Sequence, residues 1–173
     1  MELKIRQENG DDFLDVLKVN KQAFGQYQEA NLVNLLRKSN AFIPELSLVA
    51  ILNNEIVGHI LFTKIKIINE SKEEFESLAL APMAVKPEFQ NKGIGGRLIQ
   101  HGLDKAKELQ YKSVIVLGHE HYYPKFGFVA AEKWNIKSPF EVPSNVFMAL
   151  ELATDGLKNT NGIVKYPVEF ETL

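Results

Sequence analysis

Gly93, Gly95 and Gly96 crowd the stretch "QNKGIGG" (Gln90–Gly96), and a helix begins among them. Ile94, Leu98, Leu103, Ala106 and Leu109 recur close to helical spacing, while Arg97, Gln100, Asp104, Lys105 and Glu108 fill the other side. The start of a helix presents amide N–H groups with no intrahelical acceptor and the positive end of the aligned peptide dipoles, and glycine lets an anion come close to them. Phosphate binding is the chemistry this pattern offers. The alternative is a flexible turn leading into a helix, and the glycines alone do not separate the two.

Neighbouring residues narrow the ligand. A nucleoside-triphosphate loop needs Lys and then Ser or Thr after its last glycine, and here Arg97 follows Gly96. A dinucleotide fingerprint needs Gly or Ala where Leu98 stands, inside a parallel βαβ unit, whereas the strands before this helix read as a meander. His119 and His121 flank Glu120 and suggest a metal at first sight, but two histidines in a loop without further clustered ligands make a poor site, and no metal is expected. The chain has no cysteine, which removes disulfides, thiolate zinc sites and a cysteine nucleophile.

The elements that position these residues follow from periodicity. "LKIRQ" reads as a strand, "DDFLDVLKVNKQAF" and "EANLVNLLRKS" as amphipathic helices, and "LSLVAILNNEIVGHILFTKIKII" as a hairpin about "NNE". The strand "EFESLALAPMAV" leads into the glycines; beyond the helix come a buried strand "KSVIVLG", a short helical or turn segment "HEHYYPKFGF", and strand-like segments with proline-bearing loops. Pro82 falls inside a strand that should be central; it cannot donate to a ladder, so a bulge or splay is expected there. The order predicts one mixed α/β (α+β) domain over residues 1–173, with a mostly antiparallel sheet flanked by helices. With 173 residues, 45% of them hydrophobic, the chain can bury a real core. A formal net charge of -2 without a long basic run makes no case for nucleic acid or an anionic membrane, and a start without an apolar leader points to a cytoplasmic protein.

Two motifs together carry a resemblance. Gln90, Gly93 and Gly95 fit the Gln/Arg-x-x-Gly-x-Gly/Ala motif of the GNAT N-acetyltransferase superfamily, and "YYPKFGF" resembles its Phe/Tyr-Tyr-x-x-x-Gly-Phe segment, one helix and one strand further on. "LALAPMAV", "VLGHEHYYPKFGF", "GIVKYPVEF" and "EANLVNLLR" are similar to the YhbS-like branch, so the resemblance spans nearly the whole chain. It implies a GNAT-like sheet with a splayed central strand pair, and acetyl-coenzyme A as cosubstrate. The backbone of Met83, Ala84 and Val85 would pair with the pantetheine arm, in the gap that Pro82 suggests. Gln90 opens the motif, and the amides of Asn91, Lys92, Gly93, Ile94, Gly95 and Gly96 would hold the pyrophosphate. The side chains of Lys92 and Arg97 would either add charge there or be solvated surface cations. His119 would contact the coenzyme at a position where family members usually place Asn or Asp, and Lys125 is either a phosphate contact or an ordinary exposed lysine.

The implied reaction is direct attack of a neutral amine on the thioester carbonyl; with neither cysteine nor a Gly-x-Ser-x-Gly elbow, an acyl-enzyme is disfavoured. An amide near Val85 would polarise the carbonyl, and Tyr123 would donate a proton to the departing sulfur, unless it only packs. Glu76 and His59 are candidates for the base; the plainer readings are a solvent-facing glutamate and a satisfied core histidine. The acceptor is an amine on a small molecule or a protein, shaped by Gly25–Glu29 and Ser138–Asn145, where Phe24, Tyr27 and Phe140 line a pocket or pack in the core. The oligomeric state expected is monomer or homodimer. The rival reading is a coenzyme-A-binding regulatory module that catalyses little.

Overall fold

The computed structural model describes residues 2–173. The chain divides into two compact units: Met1–Thr63 with Ala81–Lys105 and Val168–Leu173, and Lys64–Leu80 with Ala106–Pro167. Among the described residues there are nine strands and three α-helices.

In the first unit, β1 (Lys4–Gln7) pairs antiparallel with β2 (Phe42–Leu52), and β2 with β3 (Glu55–Ile68). The β2–β3 hairpin closes through Asn53 and Asn54, both at positive φ (52 and 63), which Asn tolerates better than most residues and which matches the twist of the flanking strands. Between β1 and β2 run α1 (Phe13–Phe24) and α2 (Gln28–Leu36). A capping box between Asn9 and Asp12 starts a 3-10 turn at Gly10–Asp12 that feeds α1. Gly25 ends α1 in the left-handed conformation (φ 68), its N–H bonding to Lys21 O. Val16 and Val19 of α1 and Leu32, Val33 and Leu36 of α2 are buried, the apolar stripe that their spacing predicts. Residues Ile56 to Thr63 of β3 are buried without alternation, so both faces of this strand are covered.

α3 (Ile94–Glu108) belongs to the same unit up to Lys105 and lies very close to β3. A Cβ on Gly102 would sit 2.2 Å from Phe62 Cε1, and one on Gly58 would sit 3.0 Å from Leu98 Cδ1. Glycine on each partner thus opposes a large apolar side chain on the other, and Leu98 and Ile99 are wholly buried.

β4 (Glu74–Val85) belongs to the second unit as far as Leu80, where it meets β5 (Ser113–Leu117) in a parallel ladder confined to Leu78–Ala79 and Val114–Ile115. β4 itself continues to Val85, through a cis Ala81–Pro82 peptide. β5 pairs antiparallel with β8 (Phe147–Glu151), and β6 (Val129–Ala130) with β8. β9 (Gly162–Lys165) pairs antiparallel with Lys66–Ile68 of β3 and parallel with β7 (Ile136–Lys137). Ile65, Ile67, Ala79, Ile115, Phe147, Leu157 and Val164 pack as its core.

The sheet is mostly antiparallel, mixed and flanked by helices, as expected, with the short β4–β5 ladder as its splayed pair. Details differ. The second predicted helix stops at Leu36; Lys38 and Ser39 donate to Leu35 O and Leu36 O in closing turns. The short helical or turn segment expected in "HEHYYPKFGF" is a 3-10 turn, Tyr123–Phe126, with Pro124 in its first turn and Gly127 ending it at φ 99. Among the described residues, no helix is long and apolar enough to cross a membrane.

Candidate active site

The glycine-rich loop follows β4 in the first unit. Pro87–Phe89 form a 3-10 turn, Gln90 is extended, and α3 begins at Ile94. Asn91 (φ 62) and Gly93 (φ 82) are both left-handed, and a Cβ on Gly93 would meet nothing within 4 Å. Gly93 is therefore needed for its backbone conformation rather than for space. Asn91, Lys92 and Gly93 are exposed while Ile94 is buried, so the loop stands in solvent on an anchored helix. The Gln90 side chain donates to Val85 O at 3.0 Å, tying the loop to the end of β4. The first turn of α3 has amide groups that no helical carbonyl can satisfy, next to backbone that no side chain shields. These residues fit a phosphate-bearing ligand.

The cations near the loop are placed less uniformly. Lys92 Nζ lies 5.6 Å from the centre of the Phe89 ring. Arg97 reaches along the flank of α3, its Nη2 donating to Leu3 O at 3.5 Å. It lines a cleft of about 950 Å³ with Lys4, Asn53, Asn54, His101 and Asp104, so its charge sits on the β1 side of the helix.

In the second unit, the backbone N–H groups of Tyr122 and Tyr123 both donate to His119 O, at 3.1 and 3.3 Å. Tyr123 is buried, and its ring meets Tyr122 (5.2 Å between centres) and Phe128 (5.7 Å) edge-on. Burial, with the neighbouring Tyr122 adding to it, pushes the Tyr123 phenol up to about 12. The side chains of His119 and Lys125 are exposed, with Lys125 Nζ 5.6 Å from the Tyr122 ring. Glu76, on β4, is exposed.

His59 is different. It is wholly buried on β3, with Nε2 3.0 Å from Ser47 Oγ and Nδ1 3.4 Å from Asn20 Nδ2. Glu8 Oε2 lies 4.0 Å from His59 Nε2, and the Glu8 carboxylate takes a two-pronged bond from Arg37, 2.9 Å on each arm. Because an amide nitrogen can only donate, Nδ1 of His59 accepts and Nε2 carries the proton toward Ser47. Burial pushes His59 down to about 4; Glu8 opposes this and Arg37 reinforces it. Glu8 is raised by burial but brought below its usual range by Arg37, His59 and Ser47. At neutral pH the histidine is an uncharged link in a core network that joins α1, β2 and β3 to Glu8, just after β1, and Arg37, the C-cap of α2.

Of the aromatic residues assigned to an acceptor pocket or to the core, Phe24, Tyr27 and Phe140 are all well exposed. Lys21 Nζ lies 5.2 Å from the Tyr27 ring, and Phe140 stacks on Tyr166. Sequence reading missed Gly58, Gly102 and Gly118, where a Cβ would strike a side chain. Gly102 was within reach of it, since a glycine on the apolar stripe of a helix marks a close approach.

Comparison with known proteins identifies the family. The profile of the acetyltransferase (GNAT) family matches residues 12–128. The uncharacterized N-acetyltransferase YjhQ of Escherichia coli (strain K12) is 40% identical over 134 residues, covering 76% of this chain and 73% of YjhQ. The uncharacterized N-acetyltransferase YhbS of the same strain is 28% identical over 151 residues, 87% of each chain. The crystal structure of Escherichia coli YhbS in complex with CoA superposes with a TM-score of 0.90 at 26% identity, covering 99% of this chain and 93% of that one. A GNAT acetyltransferase from Brucella melitensis in complex with acetyl-CoA gives a TM-score of 0.79 at 29% identity, covering 98% of both chains. The profile match over residues 12–128 and the 40% identity to YjhQ show that the chain belongs to the GNAT family of acetyltransferases.

Proposed function

We propose that this protein transfers an acetyl group from acetyl-coenzyme A directly to an amine, and that residues 1–173 work as one catalytic domain. The observation that carries the reading is the Gln90–Gly96 loop: left-handed Asn91 and Gly93 leave the backbone open at the start of α3, in a chain whose family match runs through both compact units. The pyrophosphate is assigned to the amides of Asn91–Gly96, and the pantetheine arm to the backbone of Met83–Val85. The coenzyme supplies the activated acetyl group. The amine nitrogen bonds to the carbonyl carbon as the C–S bond breaks, the amine loses a proton, and the sulfur gains one.

Tyr123 is the proposed donor toward the departing sulfur. Its raised phenol stays protonated throughout the neutral range, so it is always ready to donate a hydrogen bond. Glu76 is the proposed proton acceptor, directly or through water, since its exposure leaves it accessible to an incoming amine. His59 is left out: it is fully enclosed, and its ring nitrogens already face Ser47 and Asn20. The acceptor is an amine on a small molecule or a protein, and the cytoplasm, which supplies the coenzyme, is the proposed setting.

The test is release of free thiol from acetyl-coenzyme A in the presence of spermidine, lysine, ethanolamine and a peptide with a free N-terminus. The protein has no cysteine, so a thiol reagent reports the coenzyme alone. Amine-dependent release is the expected result. Tight binding of acetyl-coenzyme A without release on any amine would favour the regulatory module instead.

A further inference from the structure

We infer that Gly118 is a positioning residue for the transfer reaction: it forms the floor on which the Tyr123 ring lies, and so determines where the phenol hydroxyl sits. The inference rests on the proposed role of Tyr123. A Cβ on Gly118 would lie 2.3 Å from Cε2, 2.8 Å from Cδ2 and 3.3 Å from Cζ of that ring. Ordinary contact begins near 3.5 Å, so any side chain here forces the ring or the backbone to move by roughly an ångström.

The backbone is the less able to yield. Gly118 N–H donates to Val146 O at 2.9 Å, holding the end of β5 against the segment that starts β8. The ring is hinged on a turn whose Tyr122 and Tyr123 amides are bonded to His119 O, one residue after Gly118. Tyr122 and the buried Phe128 meet the ring edge-on. The ring therefore absorbs the displacement, and its hydroxyl, at the far end of the lever, moves with it. Gly118 lies outside the left-handed region, so glycine is required here for close approach and not for its dihedral angles. This also separates it from Gly127, which ends the same turn at φ 99.

The experiment compares G118A, Y123F and the double variant in the thiol-release assay, with acetyl-coenzyme A affinity measured separately. A misplacement of this size is expected to lower kcat about tenfold to a hundredfold in G118A, with coenzyme affinity changed less than about twofold. G118A is expected to cost nothing further in the Y123F background, because no hydroxyl is left to misplace. An unchanged kcat in G118A, or an equal loss with and without the hydroxyl, overturns the inference. If Y123F itself turns over normally, the role proposed for Tyr123 fails, and that outcome is distinct.

A readout independent of activity is fluorine NMR of protein labelled with 3-fluorotyrosine. The chain has five tyrosines, and the signal missing in Y123F identifies Tyr123. That signal is expected to move in G118A far more than the signals of Tyr27 and Tyr166; a static Tyr123 signal overturns the inference. Should G118A not fold, F128L loosens the same ring without touching Gly118, and an unchanged kcat and Tyr123 signal there would be equally decisive against it.

Discussion

At the scale of single residues, Tyr123 and His59 show how burial sorts groups that look equally reactive in a sequence. The Tyr123 phenol, pushed up to about 12, cannot hand its proton completely to a thiolate whose thiol lies near 8.5 without a cost of about 5 kcal/mol. Its contribution is the hydrogen bond offered as charge grows on sulfur, and Y123F is expected to lower kcat by roughly tenfold to a hundredfold with coenzyme affinity retained. The same raised phenol should produce no falling limb in the pH–kcat profile below about pH 11, which rate measurements from pH 6 to 10 check. His59 follows the opposite sign. Its folded value of about 4 lies below the ordinary 6.5, so between those values the unfolded chain binds a proton that the folded chain does not. Stability from this residue is complete above about pH 6.5 and is lost as pH falls to about 4, on the order of 3 kcal/mol in all. Denaturant melts at pH 7 and pH 4.5 should show a smaller loss in H59Q than in the parent protein.

Among elements, the seating of α3 on β3 is the contact that anchors the helix behind the glycine-rich loop. Gly102 faces the Phe62 ring at a distance that admits no methyl group. G102A is expected to cost about 1–3 kcal/mol by overpacking, lowering Tm by several degrees, and F62L in the same chain should restore part of it, so that the double variant loses less than the sum of the singles. Gly93 is a contrasting case. Its surroundings are empty, so G93A should leave packing intact and act through the left-handed backbone, at about 1–2 kcal/mol, with weaker coenzyme binding as the main readout. The order of elements along the chain, the hairpin at Asn53–Asn54 and the helix behind the glycines were all readable from periodicity and turn chemistry. The two-residue strands β6 and β7 were not, because segments this short carry no period to read.

For the molecule as a whole, binding of coenzyme to the folded state alone should raise stability by about 2.7 kcal/mol at a hundredfold excess over Kd, a Tm increase of roughly 5–10 °C in a chain of this size. Thermal melts with and without coenzyme A check this, and G93A should need more coenzyme for the same increase. The sequence by itself determined the family, the fold class and the position of the glycine-rich loop, since these rest on local spacing: glycines at a helix start, Gln90 three residues before Gly93, and a Tyr-Tyr turn one helix and one strand later. Only the tertiary structure decided which candidates are enclosed and which are accessible. It buried His59 among Ser47 and Asn20, left Glu76 in solvent, turned Arg97 toward β1, and laid the Tyr123 ring on Gly118. Burial and close approach depend on residues distant along the chain arriving at the same place, and spacing within a segment carries no record of that.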